Sequence, residues 1–458
     1  MTDLVIKNGR VVDFESGTIR VCDICIEDGK ISFVGKWHGE GKKIIDAKGN
    51  IVSSGFIDIH MHEEVIEKGI SGDVYDIANY MLLMGVTTCV GGNCGDNYMK
   101  VKDFFEYIDK NGSPVNYLLY SGHNTIREKI GINRYKSATK SEIYKMAKYL
   151  KEDFDNGAIG ISFGIEYSPG VTKEEIVNVT NILNDYDIIL AAHYRKDAIY
   201  GLESVKELID ISNVTKKPMQ ISHLGSCSAF GYMREALAEI ERAVKSGINV
   251  KADCYPYAAF STKIGTSVFD EGCFENWGKS YQDILLTESP YKGVRCTKEL
   301  FYEVRKRYPE MIVVAFVMNE DEVVEALKSP YVFVASDGLY RKGQGHPRGA
   351  GTFPRILGKY VREDRSLTLI DALNKMTKLP AERLKLKNKG QIKEGMDGDI
   401  VIFNPDTIID CATFVEPTLP PKGIEYVIVG GEIAVKGNKI INNRLGKSIR
   451  RKELDIYR

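Results

Sequence analysis

Two histidines, His60 and His62, stand one residue apart at the end of an apolar stretch that reads GFIDIHMH at residues 55–62. Side chains two residues apart in a β-strand point to the same side of the sheet. The two imidazoles are therefore expected to project together from the end of a buried strand, where neutral histidine is a common metal ligand. A strand that carries one histidine satisfied within the core is the alternative explanation for the pair.

Further side chains that can bind a metal follow other predicted strands. Cys94 lies in GGNCG at residues 91–95, where glycines let the backbone turn tightly and direct the thiolate inward. Three more predicted strands end at His193, His223 and Asp337. One such histidine alone would more often be a core residue. The whole set, placed at the ends of five strands, indicates a metal centre.

The donor atoms of these six side chains favour zinc. Zinc binds thiolate and imidazole well, whereas magnesium and calcium prefer oxygen ligands. A zinc-bound water has a pKa of about 7. Asp337 beside it could accept the proton of that water and later protonate a leaving amine. The expected reaction is hydrolysis of a C–N bond, in which the metal polarises the carbonyl and the metal-bound hydroxide attacks.

The composition is that of an ordinary globular protein. The 458 residues are 43% hydrophobic and 27% charged, and 62 basic against 63 acidic side chains give a net charge of -1. This balance predicts a small-molecule substrate rather than a nucleic-acid or membrane partner. No apolar run reaches the length of about 18 residues that a membrane helix needs, and no signal peptide is evident. We expect a monomer or a small homo-oligomer.

The cysteines indicate a reducing, cytoplasmic location. There are nine, an odd number scattered along the chain, which is unlike a disulfide framework. Cys22 and Cys25 form a nominal C-x-x-C, but they lie among strand-like residues and have no second pair. We interpret them as strand residues rather than as a redox or zinc site.

The two ends of the chain resemble each other and predict one small β-sandwich. Residues 1–54 contain short apolar runs, and Asn8-Gly9 and Asp28-Gly29 between them predict hairpin turns. Residues 387–458 contain similar strands and close with a charged stretch, 447–458, expected to be a surface tail.

The central part of the chain, residues 55–386, alternates short apolar strands with amphipathic helices such as 174–185 and 232–246. This pattern predicts a (β/α)8 barrel, whose chemistry gathers at the carboxyl ends of the strands. Residues 263–310 lack a clear period and are predicted to form a loop insert over the site. The eight predicted strands are 56–60, 86–90, 117–120, 159–163, 188–192, 219–223, 250–254 and 332–336.

Several longer motifs resemble those of the amidohydrolase superfamily, and within it the D-aminoacylases, or N-acyl-D-amino-acid deacylases. GFIDIHMH is similar to the first metal-binding strand of those barrels. The resemblance covers nearly the whole chain. Its other motifs are GAIGISFGIEYSPG at 157–170, DCYPY at 253–257, SDG at 336–338, HPRGAGTFPR at 346–355 and MTKLPAER at 376–383.

The resemblance implies a role for each matching metal ligand. Cys94 would bridge the metals, in place of the carbamylated lysine of other members. His193 and His223, with Cys94, would hold one tightly bound zinc ion. His60 and His62 would form a weaker second site, and the sequence leaves open whether that site is filled.

The resemblance also implies residues that act on the substrate. Asp337 would be the general base and acid, and Tyr167 and Arg348 would contact the substrate carboxylate. Arginine independently suits bidentate binding of a carboxylate. A structural ion pair for Arg348 and a packing role for Tyr167 are the alternatives. Ser261 follows the DCYPY motif and is expected to line the same pocket.

One departure bears on the substrate. Members of this branch commonly carry a lysine two residues after the histidine of the sixth strand, where it helps to bind the substrate carboxylate. Here the run is SHLGS at 222–226, and Gly225 stands at that position. The pocket is therefore expected to accept an unusual N-acyl amino acid, or a substrate whose charge lies elsewhere.

We predict zinc-dependent hydrolysis of the linear amide bond of N-acyl-D-amino acids, or of a related N-acyl amino acid or dipeptide, to a carboxylate and a free amino acid. The alternative on the same fold is a hydantoinase-like or dihydroorotase-like hydrolase of cyclic amides, or a deaminase. Such hydrolases commonly use a lysine on strand four, where residues 162–164 read SFG. A metal-free binding protein on a decayed barrel is the third hypothesis, and it predicts missing ligands. The acyl group, the side chain, the D or L preference independent of the family and the oligomeric state stay open.

Overall fold

The computed structural model describes residues 2–66 and 74–454, and these residues form a mixed α/β fold. The strands are β1 (Thr2–Asp13), β2 (Thr18–Glu27), β3 (Lys30–Gly35), β4 (Gly41–Asp46), β5 (Ile51–Ser54), β6 (Phe56–Asp58), β7 (Val86–Gly91), β8 (Asn116–Leu119), β9 (Ser121–Gly122), β10 (Gly160–Gly164), β11 (Ile189–His193), β12 (Met219–Ile221), β13 (Val250–Cys254), β14 (Phe260–Lys263), β15 (Ile284–Leu286), β16 (Ile312–Ala315), β17 (Val332–Val334), β18 (Tyr340–Arg341), β19 (Gln344–Gly345), β20 (Ile400–Phe403), β21 (Ile424–Val429), β22 (Glu432–Lys436) and β23 (Lys439–Ile440).

The helices lie mostly between these strands, and among the described residues none of them has the length and apolar character needed to cross a bilayer. They are α1 (Ile77–Leu83), α2 (Val101–Asn111), α3 (His123–Lys129), α4 (Lys140–Asp155), α5 (Lys173–Ile182), α6 (Gly201–Thr215), α7 (Leu224–Ser228), α8 (Met233–Lys245), α9 (Cys273–Trp277), α10 (Lys298–Arg307), α11 (Glu320–Lys328), α12 (Arg348–Arg355), α13 (Leu369–Met376) and α14 (Lys378–Arg383). A π-helical segment, Ile356–Glu363, continues α12.

Strands from both ends of the chain share one mixed sheet. Its nine described strands run in the order β23-β22-β21-β20-β5-β1-β2-β3, with β4 paired to β1. The two ends meet where β5 pairs with β20, and Val52 lies opposite Ile402 there. Both side chains belong to the apolar core of this sheet. The domain boundaries at residues 54 and 387 stay predictions.

The two predicted hairpin turns differ in outcome. Asp28-Gly29 joins β2 to β3 with φ angles of 48° and 73°, so this prediction is confirmed. The hairpin at Asn8-Gly9 is wrong, because β1 continues through these residues and contains a bulge there. Asn8 has a φ of 57°, and a Cβ on Gly9 would lie 2.5 Å from Val52 Cγ2. An Asn-Gly pair supplies positive φ to a bulge as readily as to a turn.

The parallel strands form two sheets in the described part of the chain, β6-β7-β8 and β17-β13-β12-β11-β10-β9. They include all eight strands predicted for the central region, each within two residues at either end. Three observed strands stop short of the predicted ends, so His60, His223 and Asp337 lie in the segments that follow them. These three side chains therefore stand at the carboxyl edge of the sheets beyond the strands, while His193 is the last residue of β11.

The predicted loop insert at 263–310 contains regular structure. It includes β15, α9 and α10, and β15 pairs in a small antiparallel sheet with β16, which also pairs with β14; these two strands flank the insert. Aromatic rings hold it together: Trp277 lies 5.4 Å from Phe260 and 5.9 Å from Phe269 between ring centroids. Because these elements are short and packed by scattered aromatic residues, they give no regular period in the sequence.

The described part of the predicted surface tail lies against the core, so this prediction is wrong for residues 447–454. Tyr117 N donates a hydrogen bond to Lys447 O (2.9 Å), and Ile449 N donates to Tyr117 O (2.8 Å). Leu454 is buried in the core below the parallel strands. Residues 455–458 of the tail lie outside the described residues.

Candidate active site

The six predicted donors come together in the structure, and all of them are buried. They form two clusters that share Cys94, and within each cluster the donor atoms lie within 4.8 Å of one another. The first cluster is His60, His62, Cys94 and Asp337, and the second is Cys94, His193 and His223. The shared thiol makes a centre for one or two metal ions.

Three of these residues adopt left-handed backbone conformations. The φ angles are 54° at Cys94, 34° at His223 and 50° at Asp337. Residues other than glycine rarely adopt such angles, and each instance costs about 1–3 kcal/mol. Gly92 has a φ of 73°, and a Cβ there would lie 2.4 Å from Tyr120 O. The glycines around Cys94 thus allow the tight turn that the sequence predicted, and three of the six donors carry backbone strain.

Two histidines are oriented by a partner on one ring nitrogen and present the other to Cys94. His60 Nδ1 lies 3.1 Å from Asp253 Oδ1, and its Nε2 lies 3.4 Å from Cys94 Sγ. His223 Nδ1 lies 2.9 Å from Ser226 Oγ, and its Nε2 lies 3.5 Å from Cys94 Sγ. Metal-binding histidines are commonly held in this way, with the outer nitrogen bonded to a carboxylate or another polar group.

Each of the other two histidines has one buried ring nitrogen without a hydrogen-bond partner among the described residues. His193 Nε2 lies 3.0 Å from Glu166 Oε2, and its Nδ1 has no hydrogen-bond partner among the described residues. His62 Nε2 lies 3.3 Å from Asp337 Oδ1, and its Nδ1 is likewise without a partner in that part of the chain. A buried polar atom without a partner costs free energy, and since Glu166 engages Nε2 of His193, coordination through Nδ1 would satisfy that atom.

The protonation states of the side chains in the two clusters suit the binding of a metal cation. Burial raises the pKa of the Cys94 thiol, but His60 and the other histidines outweigh it and hold that pKa well below the usual range. Burial lowers the pKa of His193, but Cys94 and Glu166 raise it to about 9. His60, His62 and His193, whose pKa values are all raised, thus hold protons around a thiolate, and a bound metal ion would displace those protons.

Asp337 stands between the histidines and Arg348. Its Oδ1 lies 3.4 Å from His60 Nε2, and its Oδ2 lies 2.9 Å from Arg348 Nη1. Burial opposes ionisation of Asp337, but the charge of Arg348 together with that of His60 holds its pKa well below the usual range. Asp337 is therefore a carboxylate at neutral pH and able to accept a proton.

The position of Arg348 is fixed by several contacts. Its Nη2 donates to Ser261 O (3.1 Å), and its guanidinium lies 4.6 Å from the centre of the Tyr255 ring. Its backbone N donates to His346 Nδ1 (3.0 Å), while His346 Nε2 donates to Ala259 O (3.1 Å). Arg348 thus forms the structural ion pair that the sequence left open, and it also faces the cavities described next.

Two cavities meet at the donor clusters. An outer cavity of about 910 Å³ is lined by His62 and Cys94, and an inner one of about 280 Å³ by His193 and His223. The residues that line both are Tyr167, Ser261, Thr262, Asp337 and Arg348. All three predicted substrate-binding residues are among these, so the structure brings them to the boundary where the metal ligands lie.

Several functional residues had no predicted role. Asp253 and Glu166 belong to the quoted motifs, and their position in or beside apolar strands was the available signal. Ser226 had no signal of its own. At Gly225, where relatives commonly carry a lysine, a Cβ would lie 3.0 Å from Cys254 Sγ and would not point into either cavity.

Comparison with known proteins agrees with this geometry. A family profile described as "Amidohydrolase family" matches residues 325–435. The chain is 29% identical to a D-aminoacylase of Alcaligenes xylosoxydans xylosoxydans over 469 residues, covering 94% of this chain and 93% of the relative. Its structure matches the N-acyl-D-glutamate deacylase from Bordetella bronchiseptica, complexed with zinc and a phosphonate inhibitor, with a TM-score of 0.87, 28% identity and coverage of 98% and 99%.

The fold and the site together define an amidohydrolase. Over nearly its whole length the chain is similar to D-aminoacylases and N-acyl-D-amino-acid deacylases, so the predicted resemblance is confirmed. A dihydroorotase of Streptococcus pneumoniae serotype 4 is a more distant relative, at 25% identity over 462 residues that cover 94% of this chain and 99% of the relative.

Proposed function

We propose that this protein is a zinc-dependent hydrolase that cleaves the amide bond of N-acyl-D-amino acids to a carboxylate and a free amino acid. One observation carries the proposal: the Cys94 thiolate is shared by two buried donor clusters, beside the Asp337–Arg348 pair. The two relatives of matching length, a D-aminoacylase and an N-acyl-D-glutamate deacylase, support this reaction class.

We further propose that the two parallel sheets close into a (β/α)8 barrel. Only Tyr120 separates β8 from β9, so the two sheets are continuous in sequence there. At the other side, a parallel bridge joins Met61 to Gly338, just beyond β6 and β17. The predicted small β-sandwich, made from residues 1–54 and 387–458, would correspond to the nine-stranded sheet that both chain ends form.

Zinc fits the residues of both clusters because a thiolate and imidazoles are its preferred ligands. Cys94, His193 and His223 would hold a tightly bound ion, and His60 and His62 would provide a weaker second site. When bound, zinc polarises the carbonyl of the substrate and lowers the pKa of a coordinated water.

Asp337 is the proposed general base and acid. Its Oδ1, on the side of the histidines, would accept the proton of the attacking water and then pass it to the nitrogen of the leaving amine. Arg348 holds the other carboxylate oxygen at 2.9 Å. This ion pair fixes the orientation of Asp337, so that one oxygen is available for proton transfer.

Tyr167, Arg348 and Ser261 are proposed to bind the substrate. They line both cavities, so a substrate that spans the metal ligands passes beside all three. Arg348 Nε has no hydrogen-bond partner among the described residues, which leaves one donor for a substrate carboxylate.

Changing Arg348 to alanine is expected to raise KM by about tenfold or more for substrates with a free carboxylate, the factor of one charge-assisted hydrogen bond. Because Arg348 lowers the pKa of Asp337, its loss should raise that pKa and move the acidic limb of the kcat profile to higher pH. Steady-state kinetics from pH 4 to 9 would measure both effects. An equal rise in KM for the matching carboxamide substrates would argue against a carboxylate anchor.

Changing Asp253 to asparagine is expected to weaken zinc binding about 10- to 100-fold, the usual effect of losing the outer partner of a metal-bound histidine. Asp253 accepts a hydrogen bond from His223 N (2.7 Å) and orients His60 at 3.1 Å. Competition against a chromophoric chelator would measure the affinity. If the variant bound zinc as tightly as the parent protein, Asp253 would have no part in orienting the ligands.

The cyclic-amide alternative lacks a supporting contact. β10 carries no lysine, and its central residue Ser162 instead accepts a hydrogen bond from Gly95 N (3.1 Å) and supports the loop that carries Cys94. The cytoplasmic location stays a proposal, supported by nine cysteines that are all free thiols.

The proposed function is tested by a screen of N-acetyl and N-formyl derivatives of D- and L-amino acids, together with dipeptides, detected by the released amine. The expected result is hydrolysis of N-acyl-D-amino acids by the zinc-loaded protein and little hydrolysis of the L-forms. Turnover of hydantoins or dihydroorotate, without turnover of any linear amide, would replace this proposal with the cyclic-amide alternative.

A further inference from the structure

Two side chains from different segments hold the turn that carries Cys94, residues 92–98, and one of them has no role in the proposed reaction. Ser162 on β10 accepts a hydrogen bond from Gly95 N (3.1 Å). Glu63 is the second support. Its side chain is buried, with only 1% of the residue exposed, and it lines neither of the two cavities at the site. Glu63 therefore acts on the turn and not on a substrate.

Glu63 accepts three hydrogen bonds from this turn. Gly92 N donates to its Oε2 (2.6 Å), and Tyr98 N donates to its Oε1 (3.0 Å). The side chain of Asn97 also donates to Oε1 (3.3 Å). An ionised carboxylate accepts hydrogen bonds and donates none, so both of its oxygens can serve N–H donors. Both ends of the turn are thus fixed to one carboxylate, with Cys94 between them.

Glu63 is packed tightly against the strand that precedes the turn. A Cβ on Gly91, the last residue of β7, would lie only 3.0 Å from Glu63 Cβ, so the glycine leaves the room that this side chain occupies. Among the described residues, no lysine or arginine forms an ion pair with Glu63, and the N–H groups of the turn are the partners of its buried carboxylate. A buried charge needs such partners, so the side chain and the turn hold each other in place.

The two supports connect Cys94 to different halves of the metal centre. Glu63 directly follows His62, which belongs to the first donor cluster. Ser162 lies on β10, which pairs with β11, the strand that ends at His193 of the second cluster. Ser162 therefore keeps Cys94 beside His193, whereas Glu63 keeps it beside His62.

We propose that Glu63 is a positioning residue that holds the Cys94 thiolate in register with His60 and His62, and so builds the weaker of the two metal sites. The inference rests on the proposed metal-dependent function. Residues that orient metal ligands from outside the coordination sphere typically change metal affinity about 10- to 100-fold. If Glu63 served the fold alone, its loss would affect both metal sites or neither.

The test uses Glu63→Gln, which keeps the volume of the side chain. Glutamine has one amide oxygen and one NH2 group in place of two acceptor oxygens, so at least one N–H of the turn loses its partner. Equilibrium dialysis of the metal-free full chain against zinc buffers, followed by metal analysis, gives one dissociation constant for each bound ion. The constant of the second ion is expected to rise about tenfold or more, while that of the first ion stays close to the parent value.

Glu64→Gln is the matched control. Glu64 is the next residue and is 2% exposed, but it accepts hydrogen bonds from Asp76 N (3.1 Å) and Ala78 N (2.6 Å) at the start of α1. Its loss therefore disturbs the same segment of the chain without touching the turn. This variant should keep both zinc dissociation constants near those of the parent protein, with all proteins compared well below their thermal unfolding midpoints.

Four results would overturn the proposal. They are a second ion bound by Glu63→Gln as tightly as by the parent protein, equal weakening of both ions in that variant, the same loss of the second ion in Glu64→Gln, and a parent protein that binds a single ion. A parent protein that binds no zinc would instead overturn the proposed function itself.

Discussion

Replacing Asp337 with asparagine is expected to lower kcat by at least about 10³-fold while the protein still binds zinc. General acid-base catalysis contributes about 10²- to 10⁴-fold, and asparagine cannot accept the proton of the attacking water. Zinc should remain because Asp337 is absent from the cluster of Cys94, His193 and His223. Steady-state kinetics and metal analysis of the purified variant would measure the two properties separately.

Asp253→Asn is the matched control for this prediction. Both residues are buried carboxylates next to His60, but Asp253 lines neither cavity at the site. At saturating zinc, Asp253→Asn should therefore retain far more turnover than Asp337→Asn. If Asp337→Asn kept a kcat close to that of the parent protein, another group would be the base.

Replacing Cys94 with alanine is expected to remove both zinc and activity. The thiolate is the donor common to the two clusters, so its loss takes one ligand from each at once. The fall in zinc affinity should exceed the roughly 10- to 100-fold that follows loss of an outer partner of a ligand. Metal analysis after gel filtration, followed by kinetics with zinc added back, would measure the loss and show whether excess metal restores turnover.

Cys89→Ala is the control that separates coordination from packing. Cys89 is a buried free thiol in β7, close to Cys94 in sequence, and it belongs to neither donor cluster. Its loss should leave zinc content and turnover near those of the parent protein. Zinc retained in Cys94→Ala at the parent level would contradict the shared-thiolate centre.

The eight central strands could be predicted from the sequence because each is a short apolar run with its own local pattern. Prediction from the local sequence pattern fails where contacts with distant residues determine the structure. Asn8-Gly9 and Asp28-Gly29 look alike, and both supply positive φ, but Val52 of β5 packs against Gly9 and β1 continues there as a bulge. Residues 447–454 are rich in charge, and only the hydrogen bonds to Tyr117 and the burial of Leu454 show that this segment packs against the core.

The metal ligands could also be predicted, because polar residues at the ends of several parallel strands converge at one edge of a sheet. The residues that orient those ligands could not be predicted, since their roles come from contacts between strands. Asp253 on β13 holds His60 beyond β6, and Glu166 beyond β10 holds His193 on β11.

The most direct test measures zinc content and hydrolysis of N-acetyl-D-methionine on one preparation, before chelation, after chelation and after zinc is restored. The account predicts at least one zinc ion per chain, release of free D-methionine, loss of that activity with the metal, and its recovery when zinc returns. A protein that binds no zinc, or one whose hydrolysis of this substrate is unchanged after the metal is removed, would contradict it.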